Sequence, residues 1–386
     1  MPNSRIPATL LTAALTLFLV NASFAHEASR PVRQITGVLD VLQADDFAHG
    51  RHYVFYTIED LVSGRAYKIR FEKVPPGKLV SGNIISARAV QKGDELVVTA
   101  ELSSSVQTLD LAASVAAEER RAAVLIVNFS DKAVSTSKTD VGRKVFTDPM
   151  VSPPNKSVDG MYREASFGQV GFPGDTNGDG ALDVFGPFTI PYTSTSACDY
   201  YAWGYAAEDK AVASGIDLSI YQHIVYVMPS NSCGWAGISN VGCATVCRAW
   251  IFQSSYGDIY AHEMGHNLSL KHAGTDTNND GVKESDYGDY SDVMGYSGVG
   301  WRQVNAPHKD QMGWFGPFPG QVQKITTGGT YRIAPLETSP DLAISPQILK
   351  IKKGNTNEYY YLSYRILSGY DATLRTQYAN GCTIHR

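Results

Sequence analysis

The chain has 386 residues, of which 43% are hydrophobic and 18% charged, with a formal net charge of −5. That is enough apolar material for two or three packed domains. The mild acidic excess gives no support to nucleic-acid or anionic-membrane binding.

Residues 1–25 carry Arg5, then an apolar run from Leu10 to Val20, then the small residues Ser23 and Ala25. This is the pattern of a secretory signal peptide cut after Ala25. The apolar run is shorter than the roughly 20 residues that a membrane span requires, and no later segment is long and apolar enough either. Removing the leader takes away Arg5 and no acid, leaving 32 Lys and Arg against 38 Asp and Glu, a net charge of −6. The expected location is outside the cell, or the periplasm in a Gram-negative host. All five cysteines, Cys198, Cys233, Cys243, Cys247 and Cys382, lie in the mature chain. An exported protein meets an oxidising compartment, so disulfides are expected. Four of the cysteines cluster between 198 and 247, and their spacing leaves all three pairings open.

From Val32 to Leu111 short strand patterns alternate with turns: 34–41, 52–58, 65–71, 84–90 and 95–100. Strands this short and close suggest a small barrel or sandwich, and residues 26–115 are read as an OB-like β module with a possible prodomain role. A polar stretch from Ser103 to Arg121 reads as a linker. A second domain, 116–316, opens with the continuous apolar run Ala122 to Val127, which suits a strand buried on both faces. Helical patterns follow at 158–167 and 200–215, and a strand at 223–228, so this domain reads as α/β. Strand patterns return at 330–335, 348–352 and 359–366, giving a β-rich module over 317–386. That module reads as incomplete, because Cys382 has no evident partner and the chain stops just after a strand-like segment.

The chemistry concentrates in His262-Glu263-Met264-Gly265-His266, followed by His272. On an α-helix, positions four apart lie about 40° from each other, so both imidazoles of the first pair can aim at one point. Ala261, Met264, Gly265 and Leu268 suit packing on the other face, and Ser255 with Asp258 offers a capping signal. Catalytic zinc takes three protein ligands and keeps a fourth position for water. His262, His266 and His272 are the expected ligands, and Glu263, beside the first, the expected general base. His223 and His308 are assigned to packing or surface roles.

This pattern resembles the metzincin zinc metallopeptidases, whose H-E-x-x-H-x-x-G-x-x-H is matched from His262 to His272 except at the glycine, where Ser269 stands. The resemblance implies an α/β metzincin-like catalytic domain, a twisted sheet plus a zinc helix. It also implies a methionine turn beneath the metal, and Ser291-Asp292-Val293-Met294-Gly295-Tyr296 supplies one, with Met294 as the turn residue. Tyr296 corresponds to the tyrosine that in some metzincins approaches the zinc or steadies the tetrahedral intermediate. Among metzincins the chain looks most similar to the gametolysin-type family, through Asp183-Val184-Phe185-Gly186-Pro187, Cys233-Gly234-Trp235-Ala236-Gly237 and Asn305-Ala306-Pro307-His308. The implied function is hydrolysis of peptide bonds in a protein or glycoprotein substrate through a zinc-bound water. The alternatives are a secreted binding or adhesion protein with an inactive metzincin core, and a gluzincin-like enzyme with a downstream glutamate as third ligand.

Two acidic loops resemble calcium loops. Asp175, Asn177, Asp179 and Asp183 hold oxygen-ligand positions around a glycine turn, and Asp276, Asn278, Asp280 and Glu284 repeat the arrangement. Short oxygen side chains alternating in this way suit Ca2+, although both loops lack the glutamate at position twelve, where Gly186 and Tyr287 stand. Of three glycosylation sequons, Asn155-Lys156-Ser157 is the reasonable acceptor.

Overall fold

A computed structural model describes residues 31–75, 79–110, 118–243 and 245–386. The expected leader lies outside the described residues.

The N-terminal strands are β1 (Val32–Asp46), β2 (Arg51–Asp60), β3 (Ala66–Phe71), β4 (Ile84–Lys92), β5 (Glu95–Val98) and β6 (Gln107–Asp110). β1 pairs with β2 and also with β4, and the circuit β1-β2-β3-β5-β4 therefore closes on itself. Ile35, Leu39, Ile58, Ile69, Ile85 and Leu96 fill the inside of this ring. The stretch read as a linker is part strand. β6 pairs with β4, and the two-residue β7 (Glu118–Glu119) pairs with β9 (Val170–Gly171), while 111–117 lie outside the described residues.

The central part contributes β8 (Ala122–Asn128), α1 (Lys138–Val145), α2 (Val158–Ala165), β9, β10 (Val184–Thr189), α3 (Tyr200–Ala213), β11 (His223–Val227), β12 (Gly237–Asn240), β13 (Cys247–Ile251), α4 (Gly257–Asn267) and α5 (Ala306–Gln311). β10, β8, β11 and β13 run parallel, and β12 is antiparallel to β13. Because side chains alternate across a strand, β8 serves two cores. Ala122, Val124 and Ile126 pack with α1, α2 and α4 on one face, and Leu125 and Val127 pack with α3 on the other. Each such buried valine, leucine or isoleucine side chain contributes roughly 1.5–3 kcal/mol.

β1 lies on the free edge of β12, pairing Leu42 with Asn240, Gln43 with Ser239, Ala44 with Ile238 and Asp45 with Gly237. The ring and the central strands thus form one continuous sheet of eleven strands. Burial along β1 follows this: its first half alternates, and its last six residues are buried, with Leu42–Asp45 flanked by β12 on one side and β2 on the other.

The C-terminal part carries β14 (Val322–Ile325), β15 (Ile348–Lys352), β16 (Tyr359–Tyr364) and β17 (Cys382–His385) in one four-stranded sheet. Residues 330–335 do not form the strand expected of them. Pro335 has no N–H to give a ladder, and only an isolated bridge to Tyr364 forms there. This part is fastened to the central core. Arg365, buried, pairs with Glu337 and Asp371 and donates to the Ser291 carbonyl, and His385 Nε2 lies 3.1 Å from Asp289 Oδ2. The cysteines pair as Cys198–Cys233 and Cys243–Cys247, with Cys382 exposed and free. Among the described residues no helix is long and apolar enough to cross a membrane.

Candidate metal centre

α4 is buried from Asp258 to Asn267, packing Ile259, Tyr260, Ala261 and Met264 into the central core. Its N-terminus departs from the expected cap. Tyr256 occupies the capping position and makes no side-chain capping bond. Asp258 Oδ2 instead accepts the N–H groups of Gly298, Val299 and Gly300, each at 2.9 Å, and so ties the loop after the methionine turn to the start of the helix.

The two helical histidines are oriented from behind. His262 Nδ1 donates to the Val293 carbonyl at 2.9 Å, and His266 Nδ1 to the Leu270 carbonyl at 2.7 Å. Protons held on Nδ1 leave the Nε2 lone pairs free and pointed at a common centre. Both Nε2 atoms are buried without a hydrogen-bond partner.

His272 joins them because the chain reverses just past the helix. Ser269 has φ 70°, its N–H reaching the His266 carbonyl at 2.7 Å, while the Leu270 N–H bonds the Gly265 carbonyl. This is the left-handed conformation for which glycine is better suited. The three imidazole centroids then stand 4.9, 5.2 and 5.1 Å apart. Imidazoles bound tetrahedrally at zinc–nitrogen distances of about 2.0–2.1 Å place their centroids roughly 5 Å apart, so the triangle fits that ion.

Glu263 is fully buried on the same helix. Its Oε2 accepts from Ser239 Oγ at 2.5 Å, and its Oε1 has no partner. Burial drives this carboxyl well above the usual range, and the charge of Asp45 adds to the effect.

Met294 lies beneath the helix. A Cβ on Gly265 would fall 2.5 Å from Met294 Sδ, so the thioether packs directly against the backbone one residue before His266. The turn is held by Asp292, whose Oδ1 accepts the Met294 N–H and whose Oδ2 accepts from the Asn305 N–H and from His308 Nδ1, all at 2.7 Å. His308 is thus buried behind the turn.

Tyr296 stacks on Tyr290, and its ring is 5.8 Å from that of Phe47. Phe47 itself stands edge-on to His262 at 5.0 Å. Tyr296 thus belongs to the ring cluster around Phe47, which itself contacts His262.

Three participants were not visible in the sequence. Asp45 Oδ1 lies 2.7 Å from His272 Nε2, and Oδ2 lies 3.6 and 3.3 Å from the Nε2 atoms of His262 and His266. Burial opposes its charge, yet His272 and His262 hold its carboxyl well below the usual range. Tyr287 donates to Asp45 Oδ1 at 2.8 Å, and Gln43 Nε2 lies 2.9 Å from both ring nitrogens of His272. Asp45, His262, His266 and His272 bring their ligand atoms close enough to hold one metal ion, and among the described residues no glutamate joins this group, while Asp276, Asp280 and Glu284 form a separate cluster in the second acidic loop.

The two acidic loops have the same local geometry. Asp175 accepts the N–H groups of Asp179 and Gly180, and Asp183 that of Thr176. Asp276 accepts those of Asp280 and Gly281, and Glu284 that of Thr277. Asn177 and Asn278 each reach the following aspartate, Asp179 and Asp280. Arg386 pairs with Asp276 at 3.1 Å. Asn155, the sequon residue, spends its side-chain amide on the carbonyls of Arg143 and Phe146.

A family model described as gametolysin peptidase M11 matches residues 121–386. The match includes the three histidines, Glu263 and Met294 and runs across the boundary expected at 316. Among curated proteins, the autolysin of Chlamydomonas reinhardtii is 30% identical over 234 residues, a match covering 49% of this chain and 35% of that protein. The chain thus spans about a third of the length of that relative. The ring that supplies Gln43, Asp45 and Phe47 lies before the family match.

Proposed function

The chain belongs to the gametolysin peptidase M11 family, and on that footing we propose that it is a secreted zinc-dependent endopeptidase with Glu263 as general base. The observation that carries the reading is the triangle of imidazoles with two buried, partnerless Nε2 atoms at its centre. Neutral imidazoles suit zinc, and buried nitrogens without partners cost free energy unless a ligand meets them.

Zinc bound to His262, His266 and His272 supplies a Lewis acid for the scissile carbonyl and an acidified water. The chain's own residues do the rest. The Val293 and Leu270 carbonyls keep two ring protons on Nδ1, so the ligating nitrogens stay unprotonated. Glu263 takes the proton of the attacking water on its partnerless Oε1 and returns it to the leaving amine, while Ser239 steadies Oε2. Tyr296, whose ring contacts Phe47 beside His262, donates to the developing oxyanion.

The substrate class is protein or glycoprotein. Residues 26–115 form the OB-like module, 116–316 the metzincin-like catalytic domain and 317–386 the β-rich module. The two disulfides fit an extracellular or periplasmic location. Calcium occupies the loops of Asp175, Asn177, Asp179 and Asp183 and of Asp276, Asn278, Asp280 and Glu284, where paired loops of one geometry support the reading.

The test is Glu263→Ala in zinc-loaded protein, in the full chain and in any shorter form that accumulates on secretion. Cleavage of an unfolded protein substrate should fall by about 10²–10⁴-fold with zinc retained. Undiminished cleavage would remove the mechanism, and no cleavage by any form would favour the adhesion reading.

A further inference from the structure

We propose that β1 holds this site shut: Leu42–Asp45 lie where a substrate backbone would pair with β12, and the Asp45 carboxylate takes the fourth ligand position at the metal. The proposal rests on the zinc reading above.

A peptide can bind an enzyme by adding a strand to an exposed sheet edge. Here the edge beside the general base belongs to β12, since Ser239 donates to Glu263 and Gly237 abuts it. That edge is already taken. Gln43 and Asp45 stand opposite Ser239 and Gly237 in register, so β1 lies across the strand that flanks the reacting atoms.

The side chains of β1 then close the centre itself. Asp45 is fully buried, and its Oδ2 has no hydrogen-bond partner while facing the partnerless Nε2 atoms of His262 and His266. A buried carboxylate oxygen with no donor, set between the Nε2 atoms of two imidazoles, is what an anionic fourth ligand presents to a cation. Tyr287 fixes the other oxygen, and Gln43 sits against His272. Phe47, packed on both His262 and Tyr287, fills the space next to the cluster. No cysteine occurs between residues 26 and 197, so a thiolate from this module cannot play the part.

The plug is anchored. β1 pairs with β2 over ten residue positions and with β4 over its first half, so Asp45 is presented by a closed ring rather than by a loose arm. A tethered ligand competes at an effective concentration in the millimolar range or above. Admitting an extended protein substrate along β12 therefore requires withdrawing β1, and with it the ring, whereas the metal position itself is covered by the Asp45 side chain.

The experiment uses the full chain loaded with cobalt(II), whose visible spectrum reports its ligands, and acetohydroxamate as the probe. The unsubstituted chain should keep its spectrum through millimolar acetohydroxamate. Asp45→Ala and the size-conserving Asp45→Asn should bind the probe roughly tenfold or more tightly and cleave a small peptide correspondingly faster in the zinc form. A spectrum of the unsubstituted chain that responds as readily as the variants would overturn the proposal, and that measurement decides even if both variants fail to fold. Loss of metal affinity and activity together in the variants would also overturn it, by making Asp45 a required ligand. Failure of the full chain to load metal at all would overturn the zinc reading with it, whereas loading with equal probe binding overturns this proposal alone.

Discussion

A methyl group on Gly237 would lie 2.3 Å from Oε1 of Glu263, so the backbone of β12 and the general base meet with no space between them. Gly237→Ala must push the carboxylate aside. A misplacement of about 1 Å can cost about 10²-fold in rate, and a fall of that order in kcat is expected, with zinc content unchanged. Steady-state kinetics paired with metal analysis checks this. An unaltered kcat would show that Glu263 does not act from the position it occupies here.

Ser269 bears a left-handed backbone that glycine adopts without cost. For serine the conformation costs roughly 1 kcal/mol or more, against which the unfolded-state entropy of glycine weighs about 0.4–1 kcal/mol. Ser269→Gly should therefore leave the zinc-bound protein as stable as before or slightly more so. Chemical denaturation showing a loss beyond about 1 kcal/mol would mean that the serine makes a contact the fold needs.

Arg365 ties the C-terminal segment to the loop that leads into the methionine turn. It is 1% exposed and meets Glu337, Asp371 and the Ser291 carbonyl. Arg365→Met keeps most of the volume but strands two buried carboxylates. Breaking such a group typically costs about 3–5 kcal/mol, and a loss in that range is expected in denaturant melts. A loss under about 1 kcal/mol would mean that the segment contributes little to holding the turn.

If calcium fills the two acidic loops, it should raise thermal stability, by about 2.7 kcal/mol when the free ion is a hundredfold above its dissociation constant. Asp179→Ala and Asp280→Ala should each reduce the gain. Melting temperatures identical in calcium-free and millimolar-calcium buffer, with zinc retained, would exclude both loops.

His262, His266 and Glu263 were legible because one helical turn carries all three, and local spacing fixes their geometry. His272 followed only from the longer pattern, and the glycine position where Ser269 departs from that pattern is the one with a left-handed backbone. Asp45 and Gln43 were not legible. Gln43 meets His272 across 229 positions, a contact created by the pairing of β1 with β12 that no local spacing encodes. The capping signal at Asp258 failed for a related reason: its carboxylate serves a loop some forty residues away rather than its own helix. The strand expected at 330–335 failed on Pro335, whose missing N–H outweighs the surrounding strand pattern.

Zinc content bears most directly on the three-histidine centre. Elemental analysis of the purified protein should find one zinc per chain, and the His262→Ala/His266→Ala double variant, folded by circular dichroism, should hold essentially none. Full zinc occupancy in that double variant would contradict the assignment.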